Sequence, residues 1–98
     1  MKVHLKRSGG VMGITREWNI DSSQISSEAY LQLDTFLQAA QFFSLPNEIK
    51  SSHQTCDEFF YDIAIERQGK KHKVCCSDSD MPPPLRRCVQ WILNNLLS

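Results

Sequence analysis

Glycine is scarce in this chain: of 98 residues only four are glycine, and three of those four fall between positions 9 and 13. A residue used so sparingly marks places where the backbone needs positive φ or a close approach to its surroundings. A charge surplus is also missing. Eleven basic and eleven acidic side chains cancel, so there is no broad field to hold a polyanion, which argues against nucleic acid as a partner. No apolar run approaches the ~20 residues of a membrane-spanning helix. The first ten residues alternate apolar side chains with His and Lys instead of forming the apolar core of a signal peptide. The expectation is a soluble, cytoplasmic protein forming one domain over residues 1–98.

Metal-ligand spacing is absent as well. Of the four cysteines, Cys75 and Cys76 are adjacent and on a strand would point to opposite faces, so they cannot easily share an ion. Without an export signal the thiols are expected to stay reduced and to pack as small hydrophobes. Catalytic constellations are missing too: His4, His53 and His72 fall on a strand, a loop and a strand, with no nucleophile, acid pair or metal cage at a recognisable spacing. The expectation is a protein that is not an enzyme and uses no cofactor or metal.

The segments that are present alternate cleanly. Residues 2–7 (KVHLKR) have period two, with Val3 and Leu5 inward, and residues 14–21 resume that alternation with Ile14, Arg16, Trp18 and Ile20 on one side. Joined by a short loop, they should form an antiparallel hairpin with Trp18 and Ile20 in the core. Ser26 reads as an N-cap with Glu28 in the first turn. Tyr30, Leu33, Leu37 and Ala40 then recur at helical steps, widened by Phe36 and Phe43, until Pro46 stops the helix. Residues 47–54 read as irregular.

Residues 58–66 (EFFYDIAIE) carry the strongest strand signal, and Gln68-Gly69 makes a two-residue turn into residues 70–76. The implied register pairs Arg67 with Lys70, Ile65 with His72, Ile63 with Val74 and Tyr61 with Cys76 on the inner face. Glu66 with Lys71 and Asp62 with Cys75 then lie outside, and Phe60 is exposed on that outer face. Cys56 falls about five residues beyond the partner of Cys76, too far at ~3.3 Å per residue for a disulfide. After residues 77–84, with two acids and three prolines, Leu85, Cys88, Val89, Ile92 and Leu96 mark a second amphipathic helix. Asp78 and Asp80 lack the glycine and terminal glutamate of an EF-hand and read better as caps of that helix. Arg86 and Arg87 read as a solvated face, and Trp18 and Trp91 as core packing. The fold class is α+β: a four-stranded antiparallel sheet of two hairpins, order β-β-α-β-β-α, with both helices on one face.

Candidate function lies in the glycine-rich segment, Ser8-Gly9-Gly10-Val11-Met12-Gly13-Ile14. An apolar loop tip on a small scaffold either folds back over the core or presents Val11 and Met12 to a partner.

Read in order, these landmarks resemble the emfourin family, small bacterial inhibitors of protealysin-like members of the thermolysin family of zinc metalloproteases. The resemblance runs nearly end to end. It rests on the opening strand into Ser8-Gly9-Gly10-Val11-Met12-Gly13-Ile14 and on Ala39-Ala40-Gln41-Phe42-Phe43-Ser44-Leu45-Pro46. It continues through Asp57, Phe59, Tyr61, His72 and Val74, and through Asp80-Met81-Pro82-Pro83-Pro84-Leu85 to Trp91. The four cysteines and Phe60 depart from the family's pattern.

The resemblance implies a reversible, tight-binding inhibitor that plugs the active-site cleft of a thermolysin-like zinc metalloprotease. Such enzymes favour a bulky apolar side chain just after the scissile bond, which suits Val11 or Met12. A standard inhibitor interface buries ~1,600 Å², more than one seven-residue loop offers, so a second contact is expected from residues 77–83, including Asp78, Asp80, Met81 and Pro82, or else from residues 51–57. Steric occlusion suffices for inhibition without Asp78 or Asp80 reaching the protease zinc. No large apolar stripe remains after the core is filled, so a monomer is expected. The competing reading is a generic intracellular interaction module that binds an unrelated protein through Phe60, Asp62 and Glu66 on the outer sheet face.

Overall fold

A computed structural model of the protein describes residues 1–10, 13–49 and 58–96. Strands β1 (Lys2–Gly9) and β2 (Arg16–Asp21) are followed by helix α1 (Ser27–Ala39), a two-residue strand β3 (Glu48–Ile49), the hairpin β4 (Phe59–Arg67) and β5 (Lys70–Ser77), and helix α2 (Pro83–Asn95). The five strands lie in the order β2-β1-β4-β5-β3, antiparallel except that β3 runs parallel to β5. The sheet is therefore five-stranded and mixed, not four-stranded and antiparallel. The Cys75 amide donates to the Asn47 carbonyl at 2.8 Å, and Glu48 and Ile49 then lie against Cys75 and Cys76. Residues 48–49 thus leave the irregular segment expected over 47–54, whose remainder beyond Ile49 lies outside the described residues. Two residues are too few to show an alternation, so nothing local announces the strand.

The β4–β5 register matches the sequence reading pair for pair, from Arg67 opposite Lys70 to Tyr61 opposite Cys76. Gln68 and Gly69 both have positive φ, 51° and 78°, the requirement of a tight turn whose twist suits the flanking strands. On one face Val3, Leu5, Ile20, Tyr61, Ile63, Ile65, Val74 and Cys76 meet Leu33 and Leu37 of α1 and Leu85, Cys88, Val89 and Ile92 of α2 in a single buried cluster. Both helices therefore cover one side. On the other side the register sets Asp21, Lys2, Glu66 and Lys71 in one row across four strands. Glu17, Lys6, Asp62 and Cys75 form a second such row, so opposite charges face each other across strands and this face needs no cover.

Helix α1 begins as expected: the Ser26 hydroxyl accepts from the Ala29 amide at 3.0 Å, with Glu28 in the first turn. It ends at Ala39, earlier than Pro46 would require. Gln41 takes a left-handed conformation (φ 51°), and the reversal delivers Phe42, only 1% exposed, into the core through the 3₁₀ turn Phe42–Ser44. Burying Phe42 outweighs continuing the helix. Four further expectations change, in whole or in part. Ile14 lies outside β2 and is 52% exposed, and Trp18 is half-buried at the core's margin. Asp78 and Asp80 do not cap α2, whose N-cap is Pro82 with no side-chain hydrogen bond and whose first turn holds Pro83 and Pro84. Trp91 is likewise half-buried, its ring 5.7 Å from that of Phe36, so it joins the two helices. Arg67 pairs with Asp34, tying the β4–β5 hairpin to α1.

Candidate functional site

At one end of the sheet the outgoing ends of β1 and β5 flank the incoming start of β4, with Gly9 opposite Phe59 and Ser77 opposite Phe60. The glycine loop and the turn after β5 therefore emerge side by side. Backbone bonds hold them to two adjacent residues, one each: the Gly10 amide donates to the Glu58 carbonyl at 3.1 Å, and the Asp78 amide to the Phe59 carbonyl at 2.9 Å. The Glu58 side chain adds a third link, its carboxylate accepting from the Ser79 amide. A methyl group at Gly9 would stand 2.6 Å from the Glu58 carbonyl oxygen, and one at Gly10 would stand 2.7 Å from the Phe59 ring. Glycine is required at both because the loop's first arm lies flat on β4.

The turn is closed by its own polar groups. The Ser77 hydroxyl donates to the Asp80 carboxylate at 2.8 Å, and the Asp80 amide returns to the Ser77 carbonyl at 3.2 Å. Arg86 reaches back from α2 to donate to the Asp78 carboxylate at 3.0 Å and also to the Asp78 carbonyl. Arg86 thus braces the turn and is not simply a solvated side chain as expected. The sequence-selected residues consequently divide. Ser8, Gly9 and Gly10 are half-buried in the loop's anchored arm, and Gly13 and Ile14 are exposed at its return. Asp78, Asp80 and Pro82 are partly exposed, while Met81 is buried at 5% and holds the turn to the core. Val11, Met12 and the alternative second loop, residues 51–57 with Cys56, lie outside the described residues.

Sequence reasoning missed two contributors. Phe59 is 38% exposed beside the loop. The Arg7 guanidinium lies 4.7 Å from its ring centre and 5.5 Å from that of Trp18. The parity that turns Val3 and Leu5 inward also places Arg7 on that face, and an inward arginine beyond the helices' cover was the available signal. Burial pushes the neighbouring Tyr61 hydroxyl up from its ordinary pKa, reinforced by the negative charge of Asp78 and opposed by a hydrogen bond with Arg7.

Among the described residues no group of three or more His, Cys, Asp or Glu side chains could hold a metal ion, and no helix is long and apolar enough to cross a membrane. Cys75, Cys76 and Cys88 are free thiols. Burial pushes Cys88 up to about 12 and Cys76 to about 11, and Cys75 rises to about 11 through burial and a hydrogen bond to Asp62. Thiols held protonated in this way are poor nucleophiles. A shallow groove of about 520 Å³ on the outer face, at the opposite end from the loops, is lined by Lys2, His4, Asp21, Glu66 and Lys71. Its charges already face opposite charges across strands.

The family model for emfourin matches residues 5–93, from the middle of β1 to the last turns of α2. The chain belongs to the emfourin family. The matched span contains both loops and the start of β4 that joins them. Emfourin membership is consistent with a protease-inhibitor role in general, and the family is an inhibitor domain, not a known enzyme family. Neither a curated protein nor a solved structure matches the chain.

Proposed function

We propose that this emfourin is a reversible inhibitor of a thermolysin-family, protealysin-like zinc metalloprotease, entering the active-site cleft with residues 8–14 and seating residues 77–82 beside it. The observation that carries the reading is the shared anchor: Glu58 and Phe59 hold the glycine loop and the turn together at one end of the sheet. Two adjacent loops on a rigid support supply more contact than one and lose less freedom on docking. Val11 or Met12 has the apolar bulk to fill the pocket that takes the residue after the scissile bond. Inhibition is then by occlusion. The carboxylates of Asp78 and Asp80 are already engaged with Arg86 and Ser77, so they serve the turn's shape and do not need to reach the protease's zinc. The inhibitor acts as a monomer in the bacterial cytoplasm.

Titration into a purified protealysin-like protease, with thermolysin and a serine protease in parallel, tests the reading by hydrolysis of a peptide substrate. Stoichiometric loss of activity is expected in the zinc enzymes alone. The double substitution Val11→Asp/Met12→Asp, with the fold checked by circular dichroism, should abolish it. Undiminished inhibition by that folded variant sinks the loop mechanism. No inhibition by the parent protein at micromolar concentration sinks the function itself and favours an interaction module acting through the outer face.

A further inference from the structure

A line of contacts crosses three strands and ends on the glycine loop. Arg7 occupies the inward position after Val3 and Leu5 on β1, directly opposite Arg16 on β2 and Tyr61 on β4. Its guanidinium lies between the Trp18 ring, at 5.5 Å, and the Phe59 ring, at 4.7 Å. One edge of the same Phe59 ring lies against Gly10, so closely that a Cβ there would be 2.7 Å from the ring's Cε1. Trp18, Arg7, Phe59 and Gly10 are thus in series.

We infer that Arg7 is the positioning residue of the glycine loop: held between Trp18 and Phe59, it keeps the Phe59 ring against Gly10 and fixes the direction in which the loop leaves β1. A planar, weakly hydrated guanidinium can present one face to each ring, whereas a lysine ammonium is a strongly hydrated point charge that cannot. The arrangement also explains how an arginine is accommodated directly opposite Arg16. Like charges across strands repel, and the two aromatic faces and the Tyr61 hydroxyl offset that repulsion. The consequence for inhibition rests on the proposed function; the consequence for the loop does not.

Two readouts on Arg7→Lys separate these. In the free protein, NMR should show Gly10 amide exchange faster by roughly tenfold, with the Gly10 Hα resonances moved as the Phe59 ring shifts. Against a protealysin-like protease, the inhibition constant should rise by a comparable factor, mainly through slower association. Ile92→Val, chosen on α2 for a similar loss of Tm, should leave the Gly10 resonances and the inhibition constant unchanged, which distinguishes positioning from general destabilisation. Phe59→Leu removes the ring while keeping an apolar side chain, and should reproduce the Arg7→Lys result. Unchanged Gly10 resonances and exchange in both folded variants overturn the inference, whatever the inhibition assay gives. A parent protein that fails to inhibit overturns the proposed function and leaves the exchange data to judge Arg7 alone.

Discussion

Gly9→Ala is the sharpest structural perturbation available at the loop. Gly9 sits at φ +90°, and an added Cβ would meet the Glu58 carbonyl oxygen at 2.6 Å. Two costs follow. Backbone strain for a non-glycine residue in this region is about 1–3 kcal/mol. Relief of the contact must move the loop arm or the start of β4, which weakens the Gly10 amide bond to Glu58, worth about 1 kcal/mol. Their sum is about 3 kcal/mol, or a Tm drop of roughly 15–20 °C in a domain of this size. Gly13→Ala is the internal standard, because Gly13 has φ +65° with nothing within 4 Å of the added carbon. It should cost only the conformational term, about 1 kcal/mol. Urea unfolding of both variants, read by far-UV circular dichroism with matched m-values, measures the difference. Equal destabilisation, within about 0.5 kcal/mol, refutes the reasoning, since it means the arm is not seated on Glu58 and only the dihedral angle matters.

Stability should fall at alkaline pH. Cys88, Cys76 and Cys75 are held above the ordinary thiol value of 9.0, at about 12, 11 and 11. The unfolded chain therefore loses thiol protons first, so the stabilisation is complete below pH 9 and is lost as pH rises from 9 toward 12. The urea midpoint should decline between pH 8 and pH 10.5, and Cys88→Val should flatten the decline; an unaltered slope in that variant argues against a buried Cys88 thiol. Arg86→Met removes an ion pair whose side chains are 36% and 47% exposed, so after solvent screening it should cost under about 1 kcal/mol. Its clearer signature is faster exchange of the Met81 amide, which closes the turn on the Asp78 carbonyl. Asp62→Asn/Glu66→Gln on the outer face should change the inhibition constant by less than about twofold, and a larger effect would transfer the binding surface to that face.

How far the fold could be read from the sequence depended on the range of each interaction. The β4–β5 register was fully legible because alternation in residues 59–67 and a Gln68-Gly69 turn are local signals that agree. The β1–β2 hairpin and both helices were legible for the same reason, although Ile14 was assigned to a strand it does not join. Parallel pairing of Glu48 and Ile49 was not, since it spans about 26 residues of intervening sequence and two residues carry no pattern. The glycine loop was recognisable as a candidate from its composition. Its meeting with the 77–82 turn depends on Glu58, whose backbone and side chain serve different partners. Asp78 and Asp80 misled because an acid shortly before a helix usually caps it, whereas here Pro82 occupies the cap and Arg86 claims Asp78.

On the proposed docking, Glu58, which bonds to both loops, makes them a bidentate ligand. Once either prong is seated, the other is presented at an effective concentration set by the Glu58 anchor instead of by free diffusion. The energies of the two prongs are therefore not separable, and weakening the Ser79–Glu58 link should reduce affinity without removing one atom from the surface that touches a partner.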